Sequence, residues 1–260
     1  MTISQPQPGH IPPGIFSPQP QRASVMHMLK SQGKIEALLF LRHGEQFLLS
    51  FVIPIGIIIA AYFLPQLDTY SPHSPIFPTV LAIAAMSSGF SGQAISLAFD
   101  RRYGALKRAG ASGVPASTII LGKVVGLLVV SSLQVACLTL VALITGWRTT
   151  FGFGVIGVVI FFVGVACFTA LGMFLGGTLS SEMVLGLANL IWVLLVGAAS
   201  YLTFNVESIH PLYHIIPSVA LADGIGSAFA GQFPGFAVLS LIVWTILGIA
   251  ASIRFFSFTD

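Results

Sequence analysis

Six apolar runs organise the chain: residues 46–64, 79–99, 118–144, 153–178, 183–204 and 236–256. Each has the roughly 20 residues that a helix needs to cross a hydrocarbon core about 30 Å thick. Pro54 interrupts the first, a break that membrane helices tolerate. Only Leu179–Glu182 separates the fourth run from the fifth, which predicts a helical hairpin. Ahead of the first run, Val25–Glu45 has a different pattern. Met28, Leu29, Ile35, Leu38 and Leu39 share one side of a predicted helix, and Lys30, Lys34 and Arg42 another. A basic amphipathic helix beside a span lies in the headgroup plane. Asn205–Pro234 is too long for a turn and too polar for a seventh span. Its middle, IIPSVALADGIGSAFAG, predicts one or two short helices dipping into the outer leaflet. Bare backbone cannot face lipid, so these must be helical or covered by protein. Residues 1–24 hold six of the fifteen prolines and no apolar stretch. They predict a disordered or polyproline-like tail with no cleavable signal, and a motif for a proline-reading partner is a further reading.

Composition sharpens the class. The chain of 260 residues is 55% hydrophobic and 7% charged, with a mean hydropathy of +0.95. Soluble domains carry about 25% charged residues, so this is an integral membrane protein. The net charge of +3 is no nucleic-acid signal, because the basic residues flank the spans. With the N-terminus inside, the cytoplasmic side receives Arg22, Lys30, Lys34, Arg42, Arg101, Arg102, Lys107, Arg108, Lys123 and Arg254, and the outside only Arg148. That asymmetry sets the orientation and puts both termini in the cytoplasm, as six crossings require. Cys137 and Cys167 fall inside apolar runs and read as small hydrophobes, not as a disulfide framework.

The densest polar stretch inside the apolar part is FDRRYGALKRAGASGVPASTIILGKV, Phe99 to Val125. It holds Asp100, Arg101, Arg102, Lys107, Arg108 and Lys123. Arg101–Ala109 contains good helix formers with Gly104 among them, while Gly110, Gly113 and Pro115 end the pattern. A short cytoplasmic helix between two spans is the expectation, with Lys123 snorkelling from the start of the third.

The pattern acidic-basic-basic-x-Gly-x-Leu-Lys-Arg, a small-residue turn with Pro, then Leu-Gly-Lys opening a span, resembles permease subunits of ATP-binding-cassette exporters of the type-2 integral-membrane family. RHGEQFLLSFVIPIGIIIA (Arg42–Ala60) resembles that family's first span. ESIHPLYHIIPSVALADGIGSAF (Glu207–Phe229) is similar to its last outward segment, and the resemblance runs roughly from Arg42 to Phe255. It implies an interfacial helix before the first span and outward re-entrant helices before the last. It also implies a coupling helix, Asp100, Arg101, Arg102, Tyr103, Gly104, Lys107 and Arg108, that receives movement from an ATPase subunit. A second permease chain, the same or homologous, would pair with this one in a bacterial-type plasma membrane.

Other chemistry is sparse. No G-x-x-x-x-G-K-[ST] occurs, so ATP and Mg are expected on the partner ATPase and no cofactor on this chain. His210 and His214 sit in HPLYH, which lacks the H-E-x-x-H of a zincin, and no metal is expected. No G-x-S-x-G occurs, and no buried carboxylate suggests an ion-coupled transporter. Polar groups at depth do occur: Gln93 with Phe90, beside Ser87, Ser88 and Ser91, in the second span, and Asn189 with Trp192 in the fifth. Such groups act as interhelical glue. The resemblance makes Phe90, Gln93, Asn189 and Trp192 a substrate path. Gly172 and Gly176 form a G-x-x-x-G whose use is close helix packing.

The sequence therefore predicts an all-α membrane domain, residues 25–260, of six spans behind a tail, residues 1–24. Its expected function is the permease of an ATP-driven exporter of a drug, lipid or natural product. Polysaccharide exporters share the family. A non-transporting scaffold or immunity partner of an ATPase or sensor is the alternative.

Overall fold

The computed structural model describes residues 23–64, 76–106, 108, 116–206 and 209–256. The tail before residue 23, Asp68, Lys107, Ala109, Gly110, Gly113, Pro115, Glu207 and Asp260 lie outside them. The described residues form helices and no strand. In order these are α1 (Val25–Arg42), α2 (Gly44–Phe47), a π turn (Leu48–Val52), α3 (Ile53–Tyr62), α4 (Ile76–Met86), a second π turn (Ser87–Ser91) and α5 (Gly92–Arg102). Then come α6 (Ala116–Ile144), α7 (Phe151–Thr178), α8 (Ser181–Asn205), a 3-10 turn (Pro211–Ile215), α9 (Pro217–Phe229) and α10 (Gly235–Phe255).

Among the described residues, five helices are long and apolar enough to cross a membrane: Ile76–Arg102, Ile120–Ile144, Phe151–Thr178, Ser181–Asn205 and Gly235–Phe255. The chain is thus a multi-pass membrane protein. The run at 46–64 differs from the expectation. It is helical from α2 through α3, but its apolar helix, Ser50–Tyr62, is shorter than the other five. Polar residues open it, and Pro54 cannot supply the N–H that a continuous helix would use.

That missing bond explains a buried polar knot. An amide at position 54 would donate to the Ser50 carbonyl, and Gln134 of α6 donates to it instead, Nε2 to O 2.7 Å. Gln134 also donates to the Ala84 carbonyl at 3.3 Å and accepts from Ser88 Oγ at 3.2 Å, beside the π turn that follows α4. Ser50 Oγ meets Ser87 Oγ at 3.1 Å. Three helical segments are tied where two helical ladders are irregular. Gln134→Leu would leave buried acceptors unpaired, at about 1–3 kcal/mol. Its thermal unfolding in detergent should fall measurably below that of the parent.

The segment Ile76–Arg102 is the centre of the bundle, with 94% of its apolar window buried, against 17% for α8 and α10. A helix buried all round carries polar groups only where neighbours satisfy them. The serines of the second π turn meet this condition through Gln134, Ser50 and, for Ser91 Oγ, the Ala188 carbonyl at 3.5 Å. Small residues let α7 approach. A Cβ on Gly172 would stand 2.5 Å from the Phe90 carbonyl oxygen, and one on Gly176 would press on that of Ala94.

α1 packs by its small side. Gln32 lies over Gly122, Gly33 over Val125, and Glu36 and Ala37 over Gly126, while Phe40 clusters with Val130. The contacts advance together, so α1 runs alongside α6 in the same direction. Ile35, Leu38 and Leu39 remain exposed on its other side.

The two ends of the bundle differ. At one, Phe77, Trp147 and Phe229 form an aromatic cluster with centroid distances of 4.5–5.6 Å. α9 is almost wholly buried there, and at 13 residues, about 20 Å, it is too short to cross. Here His214 Nε2 meets Asp223 Oδ2 at 2.8 Å, Trp244 Nε1 donates to the Ile215 carbonyl at 2.8 Å, and Ser240 Oγ donates to the His214 carbonyl. At the other end lie the last turn of α5 and the two-residue link between α7 and α8.

Candidate functional site

The charged stretch at that second end divides into parts with different work. Asp100, Arg101 and Arg102 belong to the last turn of α5, not to a separate helix beginning at Arg101. The helix stops at Tyr103 and Gly104, where Gly104 takes a φ of 65°. Glycine adopts that left-handed conformation without the clash a Cβ brings, which is why it ends helices. Helical geometry resumes at Ala105, Leu106 and Arg108. Gly104 is therefore the joint between two helical pieces, and the expected helix over Arg101–Ala109 is broken there.

Arg101 is only 4% exposed. Its Nη1 donates to the carbonyls of Gly176 and Leu179, both at 2.8 Å. The last carbonyls of a helix lack intrahelical donors, and a cation suits the negative end of its dipole. Arg101 thus fastens the end of α7 to the end of α5. Arg102 is 42% exposed and pairs with Glu182 Oε1 at 3.4 Å and with Ser181 Oγ at 3.2 Å. Tyr103 is 64% exposed, and Arg108 is exposed with Nη1 donating to the Tyr103 carbonyl at 2.6 Å. Arg102, Tyr103 and Arg108 form the outward face of this segment.

Asp100 turns the other way. Its Oδ2 lies 2.5 Å from Lys123 Nζ, which also meets Glu36 Oε2 at 3.1 Å and Ser96 Oγ at 3.2 Å. Lys123 is 3% exposed, so it is paired inside the protein instead of snorkelling. One ammonium holds two carboxylates, and the three side chains join α1 and α6 to the last turn of α5. Glu36 was not among the sequence candidates, and its signal was present: a carboxylate amid the basic residues of an amphipathic helix.

Beside this triad opens a cavity of about 600 Å³ between α1, α5 and α6, with Leu185 of α8 at its edge. Gln93, Asp100 and Tyr103 line it. The structure brings Gln93 alone of the four path residues to its wall. Phe90 is buried in the main core against α7, and Asn189 and Trp192 are half-buried on α8. His210 and His214 are also apart in role: His210 Nδ1 accepts from the Leu212 amide, and His214 holds Asp223.

A family model described as ABC-2 type transporter matches residues 29–229, from within α1 to the end of α9. The curated proteins and the solved structures gave no match.

Proposed function

The chain belongs to the ABC-2 type transporter family, and from that membership we propose that it is the permease of an exporter moving a hydrophobic or amphiphilic substrate outward. The family makes it a membrane component of an ABC transporter that has no ATPase site of its own and works with an ABC ATPase subunit. Six spans, with α2 to α3 as the first, put both termini in the cytoplasm of a bacterial-type plasma membrane. Two permease chains pair, and two ATPase subunits dock below. α9 is the outer re-entrant helix. Drugs, lipids and natural products fit the apolar helices, so multidrug efflux is one physiological role.

The observation that carries this reading is the exposed face of Arg102, Tyr103 and Arg108, rooted through buried Arg101 in the central helix α5 and in α7. A push on that face reaches the middle of the bundle through rigid backbone. Asp100, Arg101 and Gly104 position the face, and Arg102, Tyr103, Lys107 and Arg108 meet the ATPase. Gln93 begins the substrate path, with Phe90, Asn189 and Trp192 further along it.

Arg102→Glu tests the assignment. Its salt bridge is exposed and contributes at most about 1 kcal/mol, so folding should be retained. Across an interface a reversed charge costs several kcal/mol. The variant should insert with Ser31→Cys shielded and Gln232→Cys labelled from outside, yet co-purify with the ATPase at less than a tenth of the parent level. Parent-level ATPase recovery and stimulated hydrolysis would sink it.

A further inference from the structure

The cavity beside Lys123 has a charge balance and a lining that docking an ATPase does not call for. Its titratable groups are Glu36, His43, Asp100, Tyr103 and Lys123. Two carboxylates therefore face one ammonium. Lys123 Nζ is already shared between Glu36, Asp100 and Ser96, so it has no bond left to offer an anion. The carboxylates keep further acceptor capacity, since each can take several hydrogen bonds. Phe40, Phe99 and Tyr103 border the same space, the last two stacked with centroids 5.9 Å apart. Gln93 supplies an independent sign. It is 8% exposed, lines the cavity and makes no side-chain hydrogen bond among the described residues. An amide without a protein partner that opens onto a cavity is one that a ligand or water completes.

We propose that this cavity binds amphiphiles with a single cationic amine head. The head sits where the carboxylates outnumber the ammonium and where aromatic faces attract a cation. The Gln93 amide takes a polar atom next to the head. The tail follows the apolar walls, including Leu127 and Val130, toward Leu185 at the edge. The volume of about 600 Å³ suits one such molecule. Anionic amphiphiles are refused by the same carboxylates. The inference rests on the exporter reading only for what binding serves, since occupancy itself needs no ATPase. It also gives the Asp100–Lys123 contact a meaning: a cation seated there competes with Lys123 for the first residue of the coupling segment.

The test is equilibrium binding to the full chain in zwitterionic lipid nanodiscs, corrected with empty nanodiscs. Radiolabelled decyltrimethylammonium is the probe, with decanol, decylphosphonate and decylphosphocholine as competitors. Decyltrimethylammonium should bind at least about tenfold more tightly than the neutral or anionic chain, the equivalent of about 1.4 kcal/mol. Competition by decylphosphocholine near the strength of the simple cation would identify the ligand as a choline lipid, and its failure a free amine amphiphile. Gln93→Leu should severalfold weaken decyl(2-hydroxyethyl)dimethylammonium, whose hydroxyl lies next to the head, and leave decyltrimethylammonium near the parent affinity. Leu185→Trp, at an exposed position on the edge, should block every probe without disturbing the ion triad. Equal binding of cation and anion, or parent-level binding in a folded Leu185→Trp variant, would overturn the site. Cation-selective binding that leaves the partner's ATP hydrolysis unchanged would sink the exporter reading and keep the site. Hydrolysis stimulated by neutral lipophiles, with no cation preference in binding, would do the reverse.

Discussion

Alanine at Gly172 and Gly176 together is expected to abolish the folded bundle. On α7 these two positions face the carbonyl oxygens of Phe90 and Ala94, and the atoms that a new Cβ meets are backbone. A side chain could rotate aside; a helix backbone in a close-packed core cannot. The two helices must separate, and α5 is the helix against which both α7 and α8 pack. Overpacking costs about 1–3 kcal/mol for each site. Two sites on one interface add up to a large fraction of the 5–15 kcal/mol that holds a typical domain. The double variant should run as aggregate on size exclusion in mild detergent. Gly186→Ala and Gly197→Ala, on α8 with no atom within 4 Å of the added carbon, should elute like the parent.

The second large effect is at Arg101. Arg101→Ala should cost about 3 kcal/mol, because buried charged hydrogen bonds contribute roughly 1.5–3 kcal/mol each and the Gly176 and Leu179 carbonyls would lose their donor. Arg101→Lys should recover only part, since an ammonium lacks the planar fork that reaches two carbonyls at once. Arg102→Ala, one residue on, should be close to neutral. Thermal unfolding of the three purified variants checks the order. Reversing both arginines would break this end of the bundle, so loss of a partner would not report on docking.

Most of the architecture was legible from hydrophobic pattern. Five of six expected spans appear within three residues of their expected limits, and the hairpin between α7 and α8 is a two-residue link. The run at 46–64 is apolar through Pro54 in sequence, yet only Ser50–Tyr62 forms its apolar helix, and what Pro54 does to the ladder depends on Gln134 arriving from α6. The residues of Arg101–Ala109 favour helix throughout. Gly104 was the signal for a break, but propensity does not reveal a left-handed joint. Which helix is central could not be read from apolar content alone, since lipid-facing and protein-buried helices are both greasy. The serines and Gln93 in the second span were the clue, because polar groups at depth need protein around them. Arg101 and Arg102 look alike in sequence, and only the end of α7 tells them apart. Likewise Glu36 and Lys123 meet because Gly33 and Ala37 let α1 run along Gly122 and Gly126.

The central claim is that an ATPase pushes on the turn at the inner end of α5. Photocrosslinking tests it most directly. p-Benzoyl-phenylalanine at Tyr103, which is 64% exposed, and at Gln232, in the exposed turn before α10, would be compared in native membranes. The account predicts that the probe at Tyr103 captures a chain carrying a Walker A motif, that the yield changes when ATP is added, and that the probe at Gln232 captures none. Capture of that ATPase from Gln232, or its absence from Tyr103 while the same membranes carry out ATP-driven export, would contradict it.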